Sequence, residues 1–345
     1  MMVAAAALTC VPASGRSQGA TAPPVGGVRS VSGHMYVARG AARRPAVNVW
    51  VTLHRIGHDL AAPLDSVNVG ASGAFAFRYR QTGDTSAVYI LTGQHGGIAY
   101  FSAPLREANV AGGAADLIAY DTASTGVPIT IASRHVIVSA ADEKAHRTII
   151  EVVVVANGGD LTRVATAASP SFTARLPVGA ADPRVSDGEV SADAMTFAGG
   201  TVRVTAPIAP GTKRIAFTYT LPARAPIMVA STDTTAALEV LVEDSAVVVT
   251  GSMVHEDAPA SVSGRTFRRF SGQKVATTDG LTITALSGTP SGIGAPGVLA
   301  LVLAAAMTTV LAITVRRGAP IGAPRRVRAE PTEAPASLAP PGEAA

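Results

Sequence analysis

A single cysteine, Cys10, is all the thiol chemistry that 345 residues offer. One thiol makes no disulfide within the chain, and it excludes a cysteine-built zinc site, which needs several thiolates. Aromatic residues are scarce at 4%, with one tryptophan, so Val, Ile, Leu and Ala must fill the cores. Charge is sparse as well: 15% of residues are Asp, Glu, Lys or Arg, against 48% hydrophobic. The formal net charge of +4 has no concentrated source, because five Arg and three Glu follow Val315 (+2) and leave +2 for residues 1–315. No Lys/Arg stripe alternates with aromatics, so nucleic acid is not an expected partner. What remains is apolar enough for real cores and far from the signature of disorder. At roughly 100–200 residues per domain, the length suggests two or three domains.

Familiar catalytic and metal spacings are missing too. The seven histidines form no H-E-x-x-H or comparable ligand pattern. His54 and His58 would share a face of a helix, but they straddle a strand end and Gly57, and read as turn residues. Ala71-Ser72-Gly73 lacks the spacing of a G-x-S-x-G nucleophile elbow. Asp142-Glu143, Glu243-Asp244 and Glu256-Asp257 fall between strands without the alternating oxygen ligands and central Gly of a calcium loop, and are expected in solvated turns. No catalytic residue, metal or cofactor is therefore expected.

The two ends of the chain carry the strongest signals of what is present. Gly297 to Val315 is a run of 19 residues without a charge, which as a helix spans roughly 28 Å, close to the hydrocarbon thickness of a bilayer. A transmembrane helix is expected at 296–315. Pro296 suits the first helical turn, and Leu299, Leu303 and Leu311 belong to the inserted surface. Arg316 and Arg317 abut its end, while residues 287–295 hold no Lys or Arg. The positive-inside rule then places the tail, 316–345, in the cytoplasm and the bulk outside. The Pro-, Ala- and Glu-rich tail is expected to be disordered. Residues 1–23 resemble an export signal, with a small apolar start and a small-residue cleavage pattern at Val11-Pro12-Ala13, although no Lys or Arg precedes Arg16. A start upstream of Met1 is one reading of that gap. Ala7-Leu8-Thr9 departs from lipobox order, so Cys10 is expected to leave with the signal segment rather than carry lipid.

Between the ends the pattern is β. In Val47 to Leu53 the period of two puts Val47, Val49, Val51 and Leu53 on one face, and in Ala74 to Tyr79 it gathers Phe75, Phe77 and Tyr79. Ile149 to Val155 is a near-continuous β-branched run suited to a central strand. Shorter strands are expected at 202–204, 214–219, 238–242, 247–250 and 281–285, separated by Gly, Pro, Asn and Asp clusters. This spacing suggests sandwiches. The expected units are 24–122, 129–222 and 226–288, with the last two either separate or one.

Val31-Ser32-Gly33, Pro45-Ala46-Val47-Asn48-Val49-Trp50-Val51, Gly73-Ala74-Phe75-Ala76-Phe77 and Val88-Tyr89-Ile90-Leu91 together resemble the carboxypeptidase regulatory-like domain over residues 28–101. Gly70 stands where that family's hairpin has Asp. The resemblance implies a transthyretin-like β-sandwich with a non-catalytic accessory, stabilising or binding role. Related folds bind carbohydrate.

Two local features stand out. At Gln94 to Phe101 two glycines permit close backbone approach and two aromatics offer a stacking surface. This gives a candidate ligand or partner edge of Gly96, Gly97, Tyr100 and Phe101. The competing reading is a turn into an edge strand whose aromatics cap the sandwich. Arg265 to Phe270 is either a basic, aromatic segment facing lipid headgroups or, as expected here, a strand with Phe267 inward and its arginines solvated. The fold class expected is an all-β ectodomain of two or three β-sandwich domains plus one C-terminal transmembrane helix. The expected function is non-enzymatic binding or scaffolding in the cell envelope, with the bilayer and an envelope protein or glycan as partners. The alternatives are a carbohydrate or cell-wall binding module and an accessory subunit of a membrane complex that matures exported proteins. Exposed aromatics on one sheet favour the sugar reading, and a broad apolar patch favours a protein partner.

Overall fold

The computed structural model describes residues 24–229, 234–276 and 281–285. The signal-like segment at 1–23, the membrane helix expected at 296–315 with Pro296, Leu299, Leu303, Leu311, Arg316 and Arg317, and the tail at 316–345 lie outside them. Among the described residues no helix is long and apolar enough to cross a membrane. Apart from two short 3₁₀ turns, every regular element there is a strand.

Nine strands build the first unit: β1 (Pro24–Arg39), β2 (Ala42–Pro45), β3 (Val49–Ile56), β4 (Ala61–Val69), β5 (Ala74–Thr82), β6 (Val88–His95), β7 (Ile98–Phe101), β8 (Asn109–Ala111) and β9 (Leu117–Tyr120). One sheet is centred on β1, which pairs with β5 and β8 up to His34 and with β2 and β9 from Met35 onward. The other runs β4-β3-β6-β7, all antiparallel. The period of two explains the sandwich between them. Val31, Met35 and Val37, then Val51 and Leu53, then Phe75, Phe77 and Tyr79, then Tyr89 and Leu91 turn inward into one core. Val47 departs from the expected pattern and is half exposed. Asn48 takes a left-handed backbone (φ 55°), which Asn tolerates better than most residues, and so the strand begins only at Val49.

Gly73 closes the β4–β5 turn at φ +72°, where a Cβ would lie 2.6 Å from the Met35 carbonyl oxygen. Only glycine fits there without displacing β1. The turn is closed by the Gly73 N–H donating to the Gly70 carbonyl.

The second unit holds β11 (Ile129–Val138), β12 (His146–Asn157), β14 (Phe172–Arg175), β15 (Ala181–Val185), β16 (Met195–Ala198), β17 (Thr201–Val204), β18 (Gly211–Pro222), β19 (Ile227–Val229), β20 (Thr235–Val242), β21 (Val247–Thr250), β22 (Val254–Val262), β23 (Arg265–Val275) and β24 (Leu281–Ala285). Its backbone is a seven-stranded sheet ordered β15-β18-β12-β11-β20-β23-β22. Parallel pairing of β11 with β20 joins residues on both sides of the Pro222–Pro226 break into that one sheet. Two three-stranded sheets, β14-β17-β16 and β19-β24-β21, contribute to the core on one face. On the opposite face Ile137, Ile150, Val152, Ala216 and Leu241 pack with Phe267 of the β22–β23 hairpin. Cover on both faces is why β12 reads as a continuous apolar run rather than an alternating one.

The units meet at β10 (Thr122–Ala123), which pairs in parallel with β13 (Thr162–Arg163). Arg39 faces Asp160 across the same junction at 3.8 Å.

Candidate ligand-binding face

The inward alternation of the four-stranded sheet fixes what its other side presents. Trp50, Thr52, His54 and Ile56 of β3 point out, and the register sets Asn68 and Ser66 of β4 beside Trp50 and Thr52. Thr52 lies opposite Thr92, His54 opposite Ile90 and Ile56 opposite Val88 on β6, and Thr92 lies opposite Phe101 on β7. Val51 opposite Gly93 places Gln94 next to Trp50. None of the exposed residues of these four strands is Lys or Arg, and the single exposed acid is Asp65, at the bulge where β4 shifts register against β3. The other sheet of the sandwich differs, because its outer face holds Arg78 and Arg80 of β5 opposite Ser30 and Val28.

This face is also unusually apolar for a surface. Of the twelve large hydrophobic side chains exposed among the described residues, seven lie between Val47 and Phe101, on this sheet or the loops beside it. Trp50 is 60% exposed and Phe101 64%, which makes the chain's only tryptophan a solvent-facing residue. Isolated exposed apolar residues need no explanation, but a group of them on one face marks a contact surface. The polar side chains between them are partly fixed. The His54 ring Nε2 and the Thr92 hydroxyl are 2.9 Å apart, and so are the hydroxyls of Thr52 and Ser66. The face divides along its length, with Trp50, Phe101, Asn68 and Gln94 at the end near the β6–β7 turn and Ile56 and Val88 at the other.

Of the four residues expected at a ligand edge, only Phe101 presents its side chain on this face. Tyr100 points the opposite way and is 7% exposed. Its hydroxyl donates to the Tyr120 carbonyl at 2.9 Å and meets the Thr162 hydroxyl at 2.8 Å, so it ties the two units together. Burial holds that phenol above the ordinary tyrosine range. Gly96 and Gly97 form the two-residue β6–β7 turn at φ 56° and 79°. Paired positive φ values are what such a hairpin turn requires, so the glycines serve chain geometry. Beside them, His95 Nε2 lies 2.8 Å from an Asp121 oxygen, and this hydrogen bond, with Arg44 near the same carboxylate, lowers the Asp121 pKa.

Other sequence candidates resolve into structural pairs. Glu243 accepts from the Ala140 N–H and from Arg265, and Asp244 holds the buried Arg147 at 2.7 Å; these acids are partners in ion pairs rather than solvated turn residues. Glu256 pairs with Arg268, which also lies over the Phe270 ring. Phe267 is buried as expected, but Arg265, Arg268 and Arg269 each hold a carboxylate instead of facing water freely. Glu239 is clasped between His135 Nδ1 at 2.8 Å and Arg269 Nε at 2.7 Å, and the His135 hydrogen bond lowers its pKa. His255 meets Asp257 and Ser271 through the same nitrogen, Nε2, an arrangement that cannot relay a proton through the ring. His54 bonds Thr92 and the His58 N–H donates to Asp84. Among the described residues no three His, Cys, Asp or Glu side chains cluster to hold a metal.

The sequence carried a sign of this face. Trp50 falls between Val49 and Val51, on the polar side of an amphipathic strand, where a large aromatic has no core to fill. No protein-family model matches the chain, and no curated protein matches it.

Proposed function

We propose that this protein is a non-enzymatic binding protein of the cell envelope, anchored by one C-terminal helix with its β units outside the cytoplasm, and that it contacts its partner through the outer face of the β4-β3-β6-β7 sheet. One observation carries the binding surface: two exposed aromatics on a sheet face without Lys or Arg, which together with its adjoining loops holds seven of the twelve exposed large apolar side chains of the described residues. Strands hold that face rigidly, as a binding surface requires. The first unit then acts as an accessory binding module, as the resemblance to the carboxypeptidase regulatory-like domain implies. The anchor and the orientation rest on the charge-free run and the arginines after it.

The test is capture of solubilised envelope components by the full-length protein, comparing the parent with the Trp50→Ala, Phe101→Ala double variant. The reading predicts that components retained by the parent are lost by the variant at unchanged melting temperature. Equal retention by both would place the contact surface elsewhere. A cysteine-labelling assay on intact cells, with Ser66→Cys, tests the orientation: labelling by a membrane-impermeant maleimide is expected, and labelling only after lysis contradicts it.

A further inference from the structure

We infer that the aromatic end of this face binds an uncharged oligosaccharide chain; the inference rests on the face being the protein's binding surface and names its ligand class. The absence of Lys and Arg is the first argument. A phosphodiester, an acidic peptide or an anionic headgroup is recognised by Arg or Lys, and the outward positions of these strands offer neither. Of the titratable groups exposed on these strands, His54 is bonded to Thr92 and Asp65, at the β4 bulge, accepts from the Ser66 N–H.

The second argument is the order of side chains. A pyranose ring has an apolar C–H face and a rim of hydroxyls, so it needs a flat apolar surface flanked by neutral donors and acceptors. Trp50 and Phe101 supply the flat surfaces. Between and beside them stand Thr52, Thr92, Asn68 and Gln94, whose hydroxyl and amide groups both donate and accept. The two aromatics are two strands and one outward row apart. With strands about 4.8 Å apart and a rise of about 3.4 Å per residue, their Cα atoms lie roughly 12 Å apart, a span suited to several linked sugars rather than one.

The third argument separates this end from a protein-docking surface. The core of a protein interface is a closely packed apolar patch. Here a row of threonines lies between the aromatics, and the aliphatic residues Ile56 and Val88 sit at the far end of the sheet. The flanking hydrogen bonds, Thr52 to Ser66 and His54 to Thr92, hold side chains in place before any ligand arrives, which lowers the ordering cost of binding.

The experiment is titration calorimetry of the full-length protein in an amine-oxide detergent, chosen because it presents no sugar headgroup. The probes are hexasaccharides of β-1,4-linked glucose, α-1,4-linked glucose and β-1,4-linked N-acetylglucosamine. At least one is expected to bind, with affinity insensitive to salt because no charge is involved. Trp50→Ala and Phe101→Ala are each expected to weaken it about tenfold or more, as for truncation of an aromatic anchor, and Val178→Ala, an exposed position in the second unit, to leave it unchanged. Both aromatics are exposed, so all three variants should melt like the parent. Binding of none of the probes, or binding indifferent to both aromatic substitutions, overturns the inference. If the sugars fail while capture of an envelope protein still depends on Trp50 and Phe101, the saccharide inference falls and the face remains the binding surface; loss of both removes the two together.

Discussion

Arg134 and Glu151 form an ion pair inside the second unit, where guanidinium Nε at 2.8 Å and Nη2 at 2.6 Å donate to the same carboxylate oxygen. The other oxygen accepts from the Tyr219 hydroxyl at 2.7 Å. Glu151 is fully buried and sits within the near-continuous β-branched run Ile149 to Val155. Burial and the adjacent Glu151 charge push the Tyr219 phenol well above its ordinary range, so it stays a proton donor to the carboxylate.

The first prediction follows from that arrangement. Glu151→Gln leaves the Arg134 charge facing a neutral amide in the core, and is expected to cost about 3–5 kcal/mol in urea unfolding, the usual effect of breaking a buried pair. Tyr219→Phe removes one hydrogen bond to a charged group and should cost about 1.5–3 kcal/mol. Equal unfolding midpoints for parent and Glu151→Gln would show that the pair does not hold the core.

Met35 and Gly93 predict a steric coupling in the first unit. A Cβ on Gly93 would lie 2.5 Å from the Met35 sulfur. Gly93→Ala is therefore expected to destabilise by about 1–3 kcal/mol through overpacking. Met35→Ala in the same chain should recover part of that loss. A double-mutant cycle reads the coupling as a departure from additivity, and strict additivity would contradict it.

Tyr100 makes a prediction about the junction. Tyr100→Phe keeps the ring in the core but removes the hydroxyl that reaches Tyr120 and Thr162. Hydrogen exchange at the Thr162 amide, which donates to the Asp121 carbonyl at 2.8 Å, should accelerate while β3 and β6 keep their protection. Acceleration throughout the first unit would mean the hydroxyl supports the sandwich rather than the junction.

Acid should release the Asp84 turn only at low pH. The Asp84 carboxylate accepts from the Ser86 hydroxyl and from the His58 and Ser86 N–H groups, and these bonds lower its pKa to about 2. A depressed carboxylate contributes stability that is present above the unfolded value, near 4, and is lost as pH falls through the folded value. The amide shifts of His58 and Ser86 should therefore titrate with a midpoint near 2. A midpoint near 4 would show the contacts to be absent in solution, and Asp84→Asn should abolish the titration.

Much of the architecture was legible in the sequence because local periodicity sets the faces of strands. Phe75, Phe77 and Tyr79 went inward together, and Ile149 to Val155 lies in the interior of the largest sheet, flanked by β18 and β11. The exceptions depend on information that a local pattern does not hold. Val47 follows the period but precedes Asn48, whose left-handed backbone breaks the strand. Asp244 and Glu243 look like solvated turn acids until distant chain brings Arg147 and Arg265 to them. Tyr100 and Phe101 are neighbours in a candidate edge, yet the pleat sends one to the junction and the other to solvent. Trp50 was the overlooked signal: its place opposite Val49 and Val51 marked an outward aromatic, and the second exposed ring became its companion only once β3, β6 and β7 paired in register.

The most direct test of the binding face uses the single tryptophan. Full-length protein carrying 5-fluorotryptophan gives one ¹⁹F resonance, from position 50, free of background from any added material. With Trp50 exposed, the free protein should show a large solvent isotope shift between H₂O and D₂O. Addition of a solubilised envelope fraction from which the protein captures a partner should move or broaden the resonance and reduce that isotope shift. An unchanged resonance at a fraction concentration that saturates capture would contradict the account, because the partner would then be held by some other surface.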